Sequence, residues 1–289
     1  HTNPECDFAN CYYNFKMPRL YKWLNVFFET MINAIFRNAS CTRRWAKRNL
    51  IMKLAGHFKG ADAVEKLLDW CEELNIKIIT LYVLSSENLD RQDDELDYLY
   101  DLINTRLHKL YNDPRIHKNK MKVKAIGSVE LLPDFLRDIL NKLEETTKDY
   151  DNHYLNIAIA YGGQNELVDA IKKIGNRIKD GSLDVNKIDK DVIESSLYTS
   201  HLPQSSPDMI LRTSGEKRLS GFLLWQSAYS ELVFMDIYWP EFRKIDLTYH
   251  FTKLLYPFAH GTGFKVVSGK SRLFTQPSSR GIFSTLLLG

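Results

Sequence analysis

Between Pro207 and Ser220 a short apolar run, Met209-Ile210-Leu211, breaks into a glycine turn. That turn carries Arg212, Glu216, Lys217 and Arg218 with the hydroxyls of Thr213, Ser214 and Ser220. An arginine's planar fork takes phosphate oxygens two at a time. Glycine lets backbone N–H groups close on an anion. A strand ending in such a loop reads as a holder for an oxyanion, although a solvated turn with incidental charges has the same composition.

Other segments share this chemistry. Arg43-Arg44-Trp45-Ala46-Lys47 is a basic pair followed by an aromatic, and Gly56-His57-Phe58-Lys59-Gly60 opens a helical pattern. The first-turn N–H groups and positive dipole end of such a helix favour an anion. Ser85-Ser86-Glu87-Asn88-Leu89-Asp90-Arg91 closes an apolar run.

The elements that must position these residues alternate. Helical spacing is expected over 60–74, 96–111, 129–148 and 164–179. Strand-like runs are expected over 77–85, 122–127, 154–161, 208–212 and 231–238, with a helical stretch over 222–229. Strands alternating with helices of this length predict an α/β fold, a central mostly parallel sheet covered by helices on both faces. Ligands in such sheets bind beyond the carboxyl ends of the strands. Ser85 to Asn88, Tyr161-Gly162-Gly163 and Arg212 to Glu216 all follow strands, so one site on one rim is expected.

Composition narrows the partners. The formal net charge of +3 over 289 residues, without a basic stripe, argues against nucleic acid. The four cysteines (Cys6, Cys11, Cys41, Cys71) show no paired or zinc-ligand spacing, which favours a reducing, cytoplasmic setting. No apolar run reaches the ~20 residues of a spanning helix. An amphipathic stretch over 23–36 could pack on the body of the protein or touch a membrane surface. Trp225 and Trp239 read as core anchors; His108, His117, His153, His201 and His250 read as surface residues.

The motifs in their order resemble those of the cis-prenyltransferases, the synthases of Z-configured polyprenyl diphosphates. They are Arg43 to Ala46, His57, Ser85 to Asn88, Asn156 to Gly163, Arg212 to Ser220, Phe222 to Gln226 and Glu231, with Pro240-Glu241-Phe242 after Trp239. The match runs over 43–246, between an atypical N-terminal segment (1–42) and a divergent tail (247–289) expected to be loosely ordered.

The resemblance implies a polyprenyl diphosphate synthase that adds isopentenyl diphosphate units in cis to farnesyl or geranylgeranyl diphosphate, making a long-chain lipid carrier precursor. It implies dependence on Mg²⁺, a homodimer or heterodimer, and peripheral membrane contact. Substrate contacts carried over by the motifs are Cys41, Thr42, Arg43, Arg44, Trp45, Lys53, His57, Ser85, Ser86, Glu87, Leu89, Arg91, Arg212, Glu216, Arg218, Leu219 and Ser220. Arg44 and His57 would grip the allylic diphosphate, and Arg212, Arg218 and Ser220 the isopentenyl diphosphate. Ser85 and Asn88 would orient the reacting ends or assist proton loss. Glu231 would be a Mg²⁺ ligand. The growing tail would enter a tunnel between the sheet and the helices 60–74 and 96–111.

Departures from the family pattern bear on activity. Ser40 stands where the family carries the aspartate that organises magnesium and diphosphate; a hydroxyl is a weak Mg²⁺ ligand beside a carboxylate. Lys53 replaces an arginine, Leu89 an aromatic and Ser128 an aspartate. A non-catalytic partner subunit is therefore the alternative reading. Asp93-Asp94-Glu95-Leu96-Asp97 also fits the aspartate pattern of trans-prenyltransferases, but those are all-helical and the strands here contradict that fold.

Overall fold

The chain divides into two compact units, His1–Ala55 and Gly56–Gly289. The computed structural model describes residues 59–90, 93–259 and 282–287, all within the second unit. A helix over 59–73 (α1) leads into β1 (Ile76–Tyr82), a 3₁₀ turn (Ser86–Asp90) and α2 (Asp93–Tyr111). Then come α3 (Pro114–Lys118), β2 (Met121–Ile126), α4 (Asp134–Thr147), β3 (His153–Ala158) and α5 (Gly163–Lys179). After α6 (Lys190–Glu194) follow β4 (Met209–Arg212), β5 (Glu231–Phe234), α7 (Lys244–Ala259) and β6 (Ile282–Leu287).

Among the described residues the strands form a six-stranded sheet in the order β2-β3-β1-β6-β4-β5, and each of these pairings is parallel. Here the structure departs from the expected loose tail. Residues 244–259 are helical, and β6 lies between β1 and β4 at the centre of the sheet. The Gly- and Ser-rich flanks hide a six-residue run, Ile-Phe-Ser-Thr-Leu-Leu, whose composition suits a strand.

Strand alternation assigns the two faces. Ile79 and Leu81 of β1, Val123 and Ala125 of β2, Leu155 and Ile157 of β3, and Met209 and Leu211 of β4 enter the larger core. Residues at helical spacing cover them: Ala63, Leu67 and Cys71 of α1; Leu99, Ile103 and Leu107 of α2; Leu136, Ile139, Leu140 and Leu143 of α4. Each such side chain contributes about 1.5–3 kcal/mol by leaving water. Helix α4 also covers the β2 edge. Its Thr147 Oγ1 accepts from the Val123 amide at 3.0 Å, and its Glu144 Oε1 from the Ala125 amide at 2.8 Å. Those amides would otherwise offer a pairing edge.

The opposite face is smaller and more polar. Tyr82, Ile126, Ala158, Tyr161, Ile210, Phe222 and Leu223 form a second cluster, on which Tyr198 and Leu219 pack. Beside it Asn156 Nδ2 donates to Thr80 Oγ1 at 3.0 Å, joining residues that are register partners on β3 and β1. Trp239 is a core anchor as expected: it is buried, stacks on Phe242 and donates from its indole N–H to the Gly60 carbonyl at 2.8 Å. Trp225 is only half-buried. Among the described residues no helix is long and apolar enough to cross a membrane.

Candidate active site

The carboxyl ends of β1, β3 and β4 bring three of the expected segments together. Ser85 pairs with Tyr161 in a parallel bridge, and the Ser86 amide donates to the Tyr161 carbonyl at 2.9 Å. The Gly163 amide donates to the Gly221 carbonyl at 3.0 Å. A Cβ at Gly162 would stand 2.6 Å from Ser86 Oγ, and one at Gly163 would collide with the Gly221 carbonyl. Gly163 needs glycine because the backbone at Gly221 closes on it, whereas at Gly162 the Ser86 side chain could turn away.

Arg212 ends β4 with its side chain largely buried. Its Nη1 donates to Ser220 Oγ at 2.8 Å and also to the Arg218 carbonyl. Its Nε and the hydroxyl of the fully buried Thr213 have no hydrogen-bond partner among the described residues. Burial, followed by the Arg218 guanidinium, lowers the Arg212 pKa. A buried cation with spare donors, pressed by a second cation, is a place an anion would relieve. Arg218 is mostly exposed and pairs with Glu216 at 2.5 Å.

Two expectations for this loop change. The Ser214 and Gly215 amides do not point into open space; they donate to the carbonyls of Ile237 at 2.6 Å and Met235 at 2.9 Å. The turn extends the backbone pairing beyond β5, with Ser214 (φ 74°) and Gly215 (φ 73°) both left-handed. The donors that these two residues leave to an anion are therefore not their backbone amides. Glu231 is also displaced from the rim: the register sets it opposite Met209, while Arg212 faces Phe234. Three residues of strand separate it from Arg212, about 10 Å at ~3.3 Å per residue. The chain does not bring Glu231 to this end of the sheet.

Other predicted residues divide. Glu87 is exposed on the 3₁₀ turn, and its charge bears on Tyr82. The Asn88 amide donates to the Ser85 carbonyl at 3.1 Å. Leu89 packs on the larger core and Leu219 on the smaller one. Ser40, Cys41, Thr42, Arg43, Arg44, Trp45, Lys53, His57 and Arg91 lie outside the described residues.

Beneath the rim is a buried layer that the sequence reading did not single out. Tyr82 stacks on Phe222 with ring centroids 4.8 Å apart, and its hydroxyl donates to the Tyr161 carbonyl at 3.1 Å. Burial, with the Glu87 charge, pushes the Tyr82 pKa up to about 12. Tyr161 donates to Glu166 Oε2 at 2.5 Å and accepts the Leu223 amide at 3.2 Å. Glu166 Oε1 accepts the Tyr198 amide at 2.9 Å and Gln226 Nε2 at 3.0 Å; the same Nε2 donates to Thr199 Oγ1. Tyr161 and Gln226 lie inside recognised motifs, so a signal was present. Nothing in the spacing marked Glu166.

His201 likewise departs from its surface reading. Nε2 lies 2.9 Å from Asn156 Oδ1 and Nδ1 lies 3.2 Å from the Tyr198 carbonyl. Burial, reinforced by Lys124, lowers its pKa to about 4.

Comparison with known proteins fixes the family. The family model described as "Putative undecaprenyl diphosphate synthase" matches residues 41–255. The chain belongs to the cis-prenyltransferase family. It is 50% identical over 204 residues to a tritrans,polycis-undecaprenyl-diphosphate synthase (geranylgeranyl-diphosphate specific) of Thermoplasma volcanium, covering 71% of this chain and 78% of that protein. A synthase of the same description from Methanopyrus kandleri is 47% identical over 205 residues, covering 71% and 75%. Among solved structures it is similar to lavandulyl diphosphate synthase of Lavandula x intermedia in complex with dimethylallyl diphosphate. There the TM-score is 0.68 at 29% identity, covering 73% of this chain and 90% of the other. A probable undecaprenyl diphosphate synthase of Campylobacter jejuni gives a TM-score of 0.58 at 31% identity, covering 68% and 88%. The chain is thus a cis-prenyltransferase, an enzyme of cis-prenyl chain elongation, on the α/β fold with a parallel sheet expected from its sequence.

No group of three or more His, Cys, Asp or Glu residues that could hold a metal occurs among the described residues. Glu216 is paired with Arg218, Asp236 lies against Gly215, and Glu231 is at the other end of the sheet. The described donor set does not fit a protein-held magnesium site.

Proposed function

We propose that this cis-prenyltransferase condenses isopentenyl diphosphate onto geranylgeranyl diphosphate to make a long-chain polyprenyl diphosphate, the precursor of a lipid carrier. The observation that carries the reading is Arg212, buried at a strand end with Nε unpartnered among the described residues and Nη1 holding Ser220. The isopentenyl diphosphate is assigned to Arg212, Ser220 and the exposed Arg218. The names of relatives at 44–50% identity support geranylgeranyl over farnesyl diphosphate as starter.

The allylic diphosphate is assigned to Arg44 and His57 on the strength of their motifs. As the allylic C–O bond breaks, negative charge gathers on the departing pyrophosphate, and fixed cations stabilise it better than reorganising water does. The alkene of isopentenyl diphosphate forms the new C–C bond, and a proton leaves the condensed product. Ser85 and Asn88, on the segment bridged to Tyr161, are proposed to orient the reacting ends. Magnesium dependence belongs to the same proposal. Ser40 lowers turnover on this reading, because a neutral hydroxyl replaces the family's carboxylate.

The test is incorporation of labelled isopentenyl diphosphate with geranylgeranyl or farnesyl diphosphate as starter, for the chain as it stands and for Ser40→Asp. Polyprenyl product that increases in Ser40→Asp is expected. Isopentenyl diphosphate binding without incorporation in either protein would favour the partner-subunit reading, to which Ser40 also points. Failure to bind isopentenyl diphosphate at all would overturn both.

A further inference from the structure

The geometry points to Glu166 as a positioning residue that sets Ser220 and Arg212 for the isopentenyl diphosphate, acting through the turn over 219–223; this rests on the assignment of that substrate to Arg212. The turn is strained. Ser220 (φ 47°) and Leu223 (φ 46°) are left-handed residues with side chains, flanking Gly221 (φ 76°). Such conformations are costly for residues with side chains and persist only where the surroundings over-determine them. What holds the turn is visible: the Gly221 carbonyl accepts from the Gly163 amide, the Leu223 amide donates to the Tyr161 hydroxyl, and Phe222 stacks on Tyr82.

The Tyr161 hydroxyl can accept from Leu223 in the observed geometry only if its own proton goes elsewhere. It goes to Glu166 Oε2, at 2.5 Å. The other carboxylate oxygen receives the Tyr198 amide and the Gln226 side chain, which fixes the chain just beyond the turn. Glu166 is 1% exposed, and its two oxygens accept from three donors. Lys173, 5.4 Å from the Tyr198 ring, supplies opposite charge nearby. Burial raises the Glu166 pKa, while the hydrogen bonds from Tyr161, the Tyr198 amide and Gln226, with the Lys173 charge, oppose that rise. Glu166 thus fixes which way the Tyr161 proton points and anchors the Leu223 end of the strained turn together with Gln226 just beyond it. Ser220, on that turn, is the residue that Arg212 Nη1 holds.

Glu166→Gln keeps the shape but sets an amide donor against the donors of Tyr161, Tyr198 or Gln226. The measurement is calorimetric affinity of the full chain for isopentenyl diphosphate and, separately, for geranylgeranyl diphosphate, with thermal melting of each protein. In Glu166→Gln, isopentenyl diphosphate is expected to bind about tenfold more weakly while geranylgeranyl diphosphate affinity is kept. Tyr161→Phe, which removes one O–H and retains the ring, should shift the same ratio about threefold even if Glu166→Gln fails to fold. An unchanged ratio, or equal weakening of both substrates with a lowered melting temperature, overturns the positioning role. Arg212→Ala separates the two levels: if it leaves isopentenyl diphosphate affinity intact, the substrate assignment fails; if it weakens binding and the Glu166 and Tyr161 variants do not, only this inference fails.

Discussion

The two faces of one sheet are built on opposite terms. On one, α1, α2 and α4 press Leu, Ile and Val side chains onto β1, β2, β3 and β4, with Thr147 and Glu144 spent on edge amides. On the other, a small apolar cluster is threaded by Tyr82, Tyr161, Glu166, Gln226, Asn156 and His201, each hydrogen-bonded and each near the rim that carries Arg212. The apolar face is tolerant in direction but sensitive in volume. The polar face is sensitive in direction, because a buried donor has one geometry and a penalty for losing it. Stability should therefore answer to the first face, and substrate geometry to the second.

The largest break expected in that division is on the apolar face. Leu140→Ala, at a site 1% exposed, should cost about 3 kcal/mol in urea unfolding. The folded fraction should keep its isopentenyl diphosphate affinity. On the rim, Arg212→Ala should weaken that affinity about fiftyfold, roughly 2.3 kcal/mol, with little change in melting temperature. Equal effects of both variants on both properties would erase the comparison.

His201 gives the polar face a pH signature. Its folded pKa of about 4 lies below the ordinary 6.5, so the unfolded chain takes up the proton first. The neutral ring's contribution is fully present above about pH 6.5 and is lost as pH falls towards 4. Allowing for partial solvent access, the loss is about 2 kcal/mol, and His201→Gln should flatten it in denaturation curves taken across that window. Tyr82→Phe removes a single donor to the Tyr161 carbonyl and should cost about 1 kcal/mol. Arg137→Ala, breaking an exposed pair with Asp134 on α4, should stay within about 0.3 kcal/mol.

The alternation of elements was legible in sequence because each has a period. Leu99, Ile103 and Leu107 mark α2, and the apolar run from Ile76 to Tyr82 marks β1. Helix α2 starts at Asp93 rather than Leu96, since the acidic residues read as a possible motif suit a helix's positive end. Strand β6 was missed because six residues in a glycine- and serine-rich tail give too short a period. The rim was legible because Ser85, Tyr161 and Arg212 each follow a strand. Glu231 was not, because its place depends on a register that only pairing with Met209 sets. Nor could spacing reveal that the Ser214 and Gly215 amides are spent on Met235 and Ile237. Glu166 escaped because a buried carboxylate is explained only by its partners.

The central claim is that Arg212 and Ser220 at the carboxyl end of β4 hold the diphosphate of isopentenyl diphosphate. Equilibrium binding of this ligand to the full chain, with inorganic pyrophosphate as competitor, tests it most directly when repeated with Arg212→Ala. Saturable binding that pyrophosphate displaces and the substitution weakens about fiftyfold is predicted. Binding that survives the substitution unchanged, or that pyrophosphate leaves in place, would contradict it.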